Sequence, residues 1–367
     1  MTAVEQEKTA PPGIPAVDPA KVLNLMDRVM RDMSGAMTGI MCAIGVRLGL
    51  FRAMAMSGPV TSAELAARTG LDERYVREWL HGLASAGYLE ACRPSGGFLL
   101  PPELAMVIAV DGSPFDLSAG YELMPALAGM TGEVCEAFAT GAGVEQDRYP
   151  AEFYRAMERM SASWFDTMLV QQWIPSLGDA AARLQRGGKA ADIGCGHGRA
   201  VITMALAFPE SEFVGYDAYG PNVEAAREAA EDAGVADRVK FVRKDATKGL
   251  RGHYDLVTAF SVLHDAPSPV ALLRAVHGAV APDGVFLLLE SASADDPADN
   301  TGPAATVLYG TSLMYCLPAS LADGGPGLGT LGLPPARIRE YCGQAGFRSI
   351  RALPSANPFN ALYEIRP

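Results

Sequence analysis

The residues able to do chemistry lie in a few short runs of the second half of the chain. Histidine is the side chain whose ordinary pKa lies closest to neutrality, and His264, in FSVLHDAPSP, is the candidate general base. A base histidine needs an acceptor that fixes its tautomer. Glu290, ending VFLLLES, is the candidate, and Asp265 adjoins the histidine directly. The competing reading is structural, with His264 capping a helix or binding a backbone carbonyl. His197 reads as part of a turn, and His81, His253 and His277 have no acidic partner at a telling spacing.

A second run, ADIGCGHGR (191–199), places Gly194, Gly196 and Gly198 in the pattern G-x-G-x-G. A dinucleotide loop requires G-x-G-x-x-G. Arg199 stands where its third glycine belongs, so the loop suits a nucleotide-type ligand but not NAD. Cys195 reads as a small packing residue. ADDPADN (294–300) has an acidic look without a second ligand cluster, and no metal is expected.

These residues need a scaffold, and the rhythm from about Arg186 onward supplies one. Strands are expected at 190–194, 212–217, 240–245, 254–260, 285–290, 347–353 and 361–365, with amphipathic helices such as 222–233 and 269–281 between most of them. That alternation is an α/β doubly wound, mostly parallel seven-stranded Rossmann-like sheet, closed by an antiparallel hairpin. Such sheets bind ligands at the carboxyl ends of their strands. The first strand ends at Asp192 and the glycine loop, where the carboxylate can take loop amides or a ligand ammonium. The second ends in Asp217-Ala218-Tyr219, the aspartate placed for two ribose hydroxyls. The third ends at Asp245-Ala246, where a carboxylate can accept from an adenine amino group. The fourth ends at Phe260-Ser261, where an aromatic ring can cover the base.

Ahead of this lie residues 1–17, read as a loose tail, an N-terminal helical domain over 18–147 and a helical connector over 148–184. From Ala20 to Met56 the pattern is helical and apolar around much of its circumference, so a second copy of the chain is the expected cover and a homodimer the expected state. Met33–Val46 is uncharged but too short for the ~20 residues a bilayer span needs, and reads as a buried helix. Thr61 and Glu64 form a capping box opening one helix, Asp72 opens a second with Tyr75, Val76, Trp79, Leu80 and Leu83 as its apolar face, and two short strands flank Pro94–Gly97. Helix, turn, helix and hairpin make a winged helix. Its arginines are balanced by acids and the chain carries a net charge of −12, which disfavours nucleic acid as a partner. Six scattered cysteines, with no C-x-x-C pair and no visible signal peptide, fit a cytoplasmic protein without a membrane partner. A glycine-rich stretch at 319–335 has the composition of a lid.

Residues 185–367 resemble the class I S-adenosylmethionine-dependent methyltransferases, through ADIGCGHG, VGYD, RKDA and YDLVTAFS. With the winged front, the order of parts is similar to the small-molecule O-methyltransferases of plants and actinomycetes. It is more similar still to winged-helix methyltransferases of mycobacteria and streptomycetes, through LGLFRAM, CGHGRA, VLHD and NPFNALYEIRP. The resemblance implies S-adenosylmethionine as cofactor, lying over the four strand ends, and a small, largely apolar or aromatic acceptor, methylated on oxygen in secondary metabolism. It implies cofactor contacts for Phe153, Met157 and Ser161, which match the connector pattern F-x-x-x-M-x-x-x-S, and supports His264 and Glu290 as base and orienting partner. Ala266 departs from the H-D-W context of those enzymes, which puts the substrate contacts there in doubt. Two alternatives remain: a non-methylating reaction on the same scaffold, such as cyclisation, decarboxylation or hydroxylation, and a winged-helix transcription regulator.

Overall fold

The computed structural model describes residues 17–355 and 359–367; the expected tail, but for Val17, and the centre of the last turn lie outside them. The chain divides into two compact units, 1–109 and 110–367. Residues 110–147, expected in the N-terminal domain, fall within the second unit.

The first unit opens with α1 (Pro19–Arg47), whose N-terminus is capped by the Asp18 side chain. Only one face of its C-terminal half is buried, through Thr38, Gly39, Cys42, Ala43 and Gly45, while Met33, Met37, Ile40 and Ile44 stand exposed. The expectation of a buried Met33–Val46 helix therefore fails on that side. After α2 (Leu50–Met54), the capping box forms as read: Thr61 and Glu64 satisfy each other's backbone amides at the start of α3 (Ser62–Thr69), and left-handed Gly70 ends it. Such a cap is worth about 1 kcal/mol. Helix α4 (Glu73–Ser85) buries Val76, Trp79, Leu80 and Leu83, and the Trp79 indole donates to the Met41 carbonyl of α1 at 2.9 Å. Tyr75, expected on that face, points to solvent. The wing is β1 (Glu90–Cys92) paired antiparallel with β2 (Gly97–Leu99), followed by α5 (Pro102–Ile108).

The second unit begins with α6 (Ser118–Ala128), α7 (Thr131–Thr140) and α8 (Ala151–Trp164). Helix α8 continues as a widened π-helical stretch, Phe165–Trp173, and then α9 (Asp179–Gln185). The sheet follows as β3 (Lys189–Ile193), α10 (Arg199–Ala207), β4 (Glu212–Asp217), α11 (Gly220–Asp232), β5 (Val239–Arg243), β6 (Tyr254–Phe260), α12 (Pro269–Ala279) and β7 (Val280–Ser291). Helices α13 (Gly302–Thr311) and α14 (Leu317–Ala322) flank a second π turn, Ser312–Cys316, before α15 (Pro335–Ala345), β8 (Ser349–Leu353) and β9 (Asn360–Arg366).

The strand order is β5-β4-β3-β6-β7-β9-β8, parallel except for β9, which runs antiparallel to both its neighbours. The order reverses at β3, with β4 on one side and β6 on the other, so the ligand crevice opens at the carboxyl ends of these strands. Apolar clusters cover both faces. One joins Phe165, Leu169 and Trp173 to α10, α11 and alternate strand residues; the other joins α12 and α15 to the opposite residues. The glycine-rich stretch is no open lid. Its first part is α14, and Gly325 and Gly329 lie so close to Ser320 and Ser312 that a Cβ would come within 2.5 and 2.4 Å of their hydroxyls. The helical run Gly302–Ala322 is long and apolar enough to cross a membrane by length and composition alone, but here it carries buried Cys316 beside the site.

Candidate active site

The glycine loop leaves β3 with Gly194, Gly196 and Gly198 all left-handed, at φ of 66°, 53° and 81°. L-residues pay about 1–2 kcal/mol for that conformation. Two of the glycines also answer to packing: a Cβ on Gly194 would meet Val262 at 2.5 Å, and one on Gly198 would meet Phe241 at 2.5 Å. A Cβ on Gly196 would meet no atom of the described residues within 4 Å, so this side of its backbone borders open space.

Two buried carboxylates stand beside the loop. Asp217, ending β4, accepts from the Gly196 amide at 2.9 Å and the Tyr219 amide at 2.8 Å, with Asn222 at 3.4 Å. Burial raises its pKa in spite of these bonds. Asp192 was expected to take loop amides or a ligand cation. It accepts the Thr258 hydroxyl at 2.6 Å, and burial raises it to about 7. Two acids pushed up by burial next to open space suit a ligand that brings hydroxyl donors and positive charge. S-adenosylmethionine, with its ribose, ammonium and sulfonium, meets that requirement; a pyrophosphate does not.

The other expected contacts fare unequally. Asp245 caps a short turn, accepting from the Thr247 amide and hydroxyl at 3.0 and 2.6 Å, with Lys248 at 3.2 Å; Ala246 beside it is buried. Ser261 has φ of 56°, rare outside glycine, and such strain gathers at functional sites. Phe260 packs against Phe165 at 4.9 Å and Trp173 at 6.0 Å. Phe153 is wholly buried against Tyr149, Tyr154 and Tyr315, Met157 packs beside that cluster, and the Ser161 hydroxyl donates to carbonyls of its own helix.

Sequence reasoning missed the connector residues that do touch the loop. Glu158 of α8 lies 2.9 Å from His197 Nδ1, and Asp166, in the π stretch, binds the Arg199 guanidinium through Nε at 3.0 Å and again through its second oxygen. The histidine holds the Glu158 carboxyl below its ordinary range, and Asp166 raises Arg199. The signal was available: an acid on the connector's loop-facing side for each basic residue in CGHGR.

At the far end of the crevice, His264 and Glu290 meet as the sequence suggests. Glu290 is fully buried and accepts the Leu263 amide on one oxygen at 2.8 Å, while its other oxygen lies 2.6 Å from His264 Nδ1. With the glutamate as acceptor, the neutral form of the imidazole carries its proton on Nδ1 and its lone pair on Nε2. Burial works against a charged His264, but the Asp265 and Glu290 carboxylates outweigh it and hold the imidazole well above the ordinary histidine range. Asp265 Oδ1 lies 3.3 Å from Nε2. The thiol of Cys316 touches His264, and Thr330 donates to its sulfur at 3.0 Å.

Comparison with known proteins places the chain in a family. The methyltransferase-domain family matches residues 191–286, and the Rv2258c-like winged HTH domain matches 35–109. Acetylserotonin O-methyltransferase of Mus musculus is 30% identical over 364 residues, covering 92% of this chain and 88% of that protein. Aclacinomycin 10-hydroxylase RdmB of Streptomyces purpurascens is 27% identical over 290 residues, 75% of each chain. The solved structure of human N-acetylserotonin methyltransferase in complex with SAM shares the fold at a TM-score of 0.64 and 20% identity, over 96% of this chain and 98% of that one. The chain belongs to the S-adenosylmethionine-dependent O-methyltransferases of small molecules, which join a winged-helix domain to a class I catalytic domain.

Proposed function

We propose that the protein methylates a hydroxyl of a small, largely apolar or aromatic metabolite of secondary metabolism, with His264 as the base. The reading rests on the 2.6 Å bond between His264 Nδ1 and Glu290, which turns Nε2 toward proton acceptance. Bound S-adenosylmethionine supplies a methyl group already activated on a sulfonium. The chain's part is alignment and deprotonation, and a positioned base is typically worth ~10² to 10⁴ in rate. Asp265 stabilises the imidazolium that forms once the hydroxyl proton lands on Nε2. The acceptor class is supported by an aromatic and methionine-rich cluster of Tyr149, Phe153, Met157, Met160, Met314 and Tyr315. The cofactor set is Asp192, the three loop glycines, Asp217 to Tyr219, Asp245, Ala246, Phe260 and Ser261. Phe153, Met157 and Ser161 are a weaker part of it, given their packing.

The test is His264→Gln, with cofactor binding followed by calorimetry and product by mass. Methyl transfer is expected to fall by ~10² or more while S-adenosylhomocysteine still binds. Unchanged turnover would remove the histidine from the mechanism. A second reading is favoured by the hydroxylase among the relatives: the same site hosting a non-methylating reaction. It is distinguished by a product that does not gain CH2.

The winged unit is read as a dimerisation module in a cytoplasmic enzyme, with a second copy of the chain and a small molecule as its partners. Two arginines of α4 are already neutralised, Arg74 by Glu78 at 2.5 Å and Arg77 by Glu73 at 3.3 Å, which leaves little charge for a phosphate backbone. Helix α1 instead presents Leu23, Met26, Met30, Met33, Met37 and Ile40 to solvent, an apolar surface of the kind that marks an interface.

A further inference from the structure

The acceptor end of the site holds more ligand atoms than methyl transfer uses. His264, Asp265 and Cys316 each offer one such atom, nitrogen, oxygen and sulfur, and all three lie within 4.8 Å of one another. Asp265 Oδ1 is buried and has no hydrogen-bond partner among the described residues. Cys316 is buried in the π turn between α13 and α14, with its thiol against both His264 and Asp265.

We propose that His264, Asp265 and Cys316 form a three-ligand site for Zn2+ or a similar borderline divalent ion, with a fourth position open. Mixed imidazole, thiolate and carboxylate sets suit zinc, and three protein ligands with one free position mark an exchangeable rather than a structural site. With metal–ligand bonds of about 2.0–2.3 Å, tetrahedral neighbours lie roughly 3.3–3.5 Å apart. The 3.3 Å between His264 Nε2 and Asp265 Oδ1 already meets this. The surroundings supply the outer partners that such sites require: Glu290 accepts a hydrogen bond from Nδ1–H at 2.6 Å, leaving Nε2 for a metal, and Thr330 donates to the Cys316 sulfur at 3.0 Å. Binding forms N–M, O–M and S–M bonds and sends the thiol proton, with any proton on Nε2, to solvent; nothing is oxidised or reduced. Occupancy takes the nitrogen that would receive the acceptor's proton, so the ion is an inhibitor. That consequence rests on His264 acting as the base; the binding itself does not.

The experiment uses untagged, full-length protein stripped of metal and titrated with Co2+, then Zn2+. One equivalent of Co2+ is expected to give tetrahedral d–d absorption and a sulfur-to-cobalt charge-transfer band, both lost on adding Zn2+. Cys316→Ser should abolish the charge-transfer band and weaken Zn2+ binding by more than the ~10- to 100-fold that outer partners are worth. Asp265→Asn should weaken binding and keep the band. S-adenosylhomocysteine binding by each variant certifies its fold. A missing band, or one that survives in Cys316→Ser, overturns the site. With metal-free enzyme turning over an acceptor, Zn2+ should stop the reaction and a chelator restore it; undiminished turnover overturns the inhibition. Failure of the base reading shows separately, as retained methylation by metal-free His264→Gln.

Discussion

At the scale of single residues, the glycine loop separates two kinds of requirement. Gly194→Ala adds a Cβ 2.5 Å from Val262 at φ 66°, so its cost falls on the fold: a lowered melting temperature is expected, measured by calorimetry. Gly196→Ala meets no neighbour, so its stability cost is limited to about 1–2 kcal/mol of backbone strain, and its main effect should be weaker S-adenosylhomocysteine binding. Equal loss of affinity in both variants at unchanged stability would contradict this division. Asp192 gives a pH signature. Its pKa of about 7 leaves much of it protonated at pH 6, and a cationic ligand favours the carboxylate. Binding then releases a proton, so affinity should rise between pH 6 and 8, by at most about tenfold per unit. Asp192→Asn should flatten that rise and weaken binding at pH 8. A steeper or unchanged slope in the variant would exclude Asp192 as the coupled group.

At the scale of elements, both π-helical stretches carry site residues: Asp166 in the first, Tyr315 and Cys316 in the second. A π turn shifts the register of every side chain after it, which lets a long helix present residues that a regular 3.6 repeat would turn away. The connector's grip on the glycine loop, Glu158–His197 and Asp166–Arg199, couples the helix to the cofactor end of the crevice. Each pair is partly exposed and worth roughly 0.2–1 kcal/mol. The double variant Glu158→Gln/Asp166→Asn should therefore raise KM for S-adenosylmethionine by about 5- to 10-fold, with kcat little changed. Steady-state kinetics with the cofactor varied provides the check, and an effect confined to kcat would contradict a cofactor-side role.

At the scale of the whole molecule, α1 leaves an apolar face exposed, with Leu23, Met26, Met30, Met33, Met37 and Ile40 on the surface. Light scattering on the intact protein should give twice the chain mass. Met30→Glu/Met37→Glu, two helical turns apart on one face, should give a single chain. A monomeric wild type would exclude the dimer. The fold was legible because strand ends, helix caps and turns are local: the strands fall within a few residues of their expected bounds, and Thr61 with Glu64 caps α3 as its spacing requires. The His264–Glu290 pairing was legible too, because two neighbouring parallel strands bring their ends to one edge whatever fills the loops.

Other assignments depended on the folded chain. The sequence placed Asp192, Asp217 and Asp245 at three strand ends as equals, yet in the fold two are buried beside open space and the third caps a turn. Phe153, which matched a cofactor-contacting pattern, is buried in an aromatic cluster, while Glu158, which the sequence did not single out, reaches the glycine loop. By itself the sequence determined the order of elements, the turns and the residues at each strand end, since these follow from local periodicity and backbone sterics. Only the tertiary structure decided which of those residues face the crevice, because that depends on packing between segments more than a hundred residues apart, as when Tyr149 donates to the Met314 carbonyl at 2.8 Å.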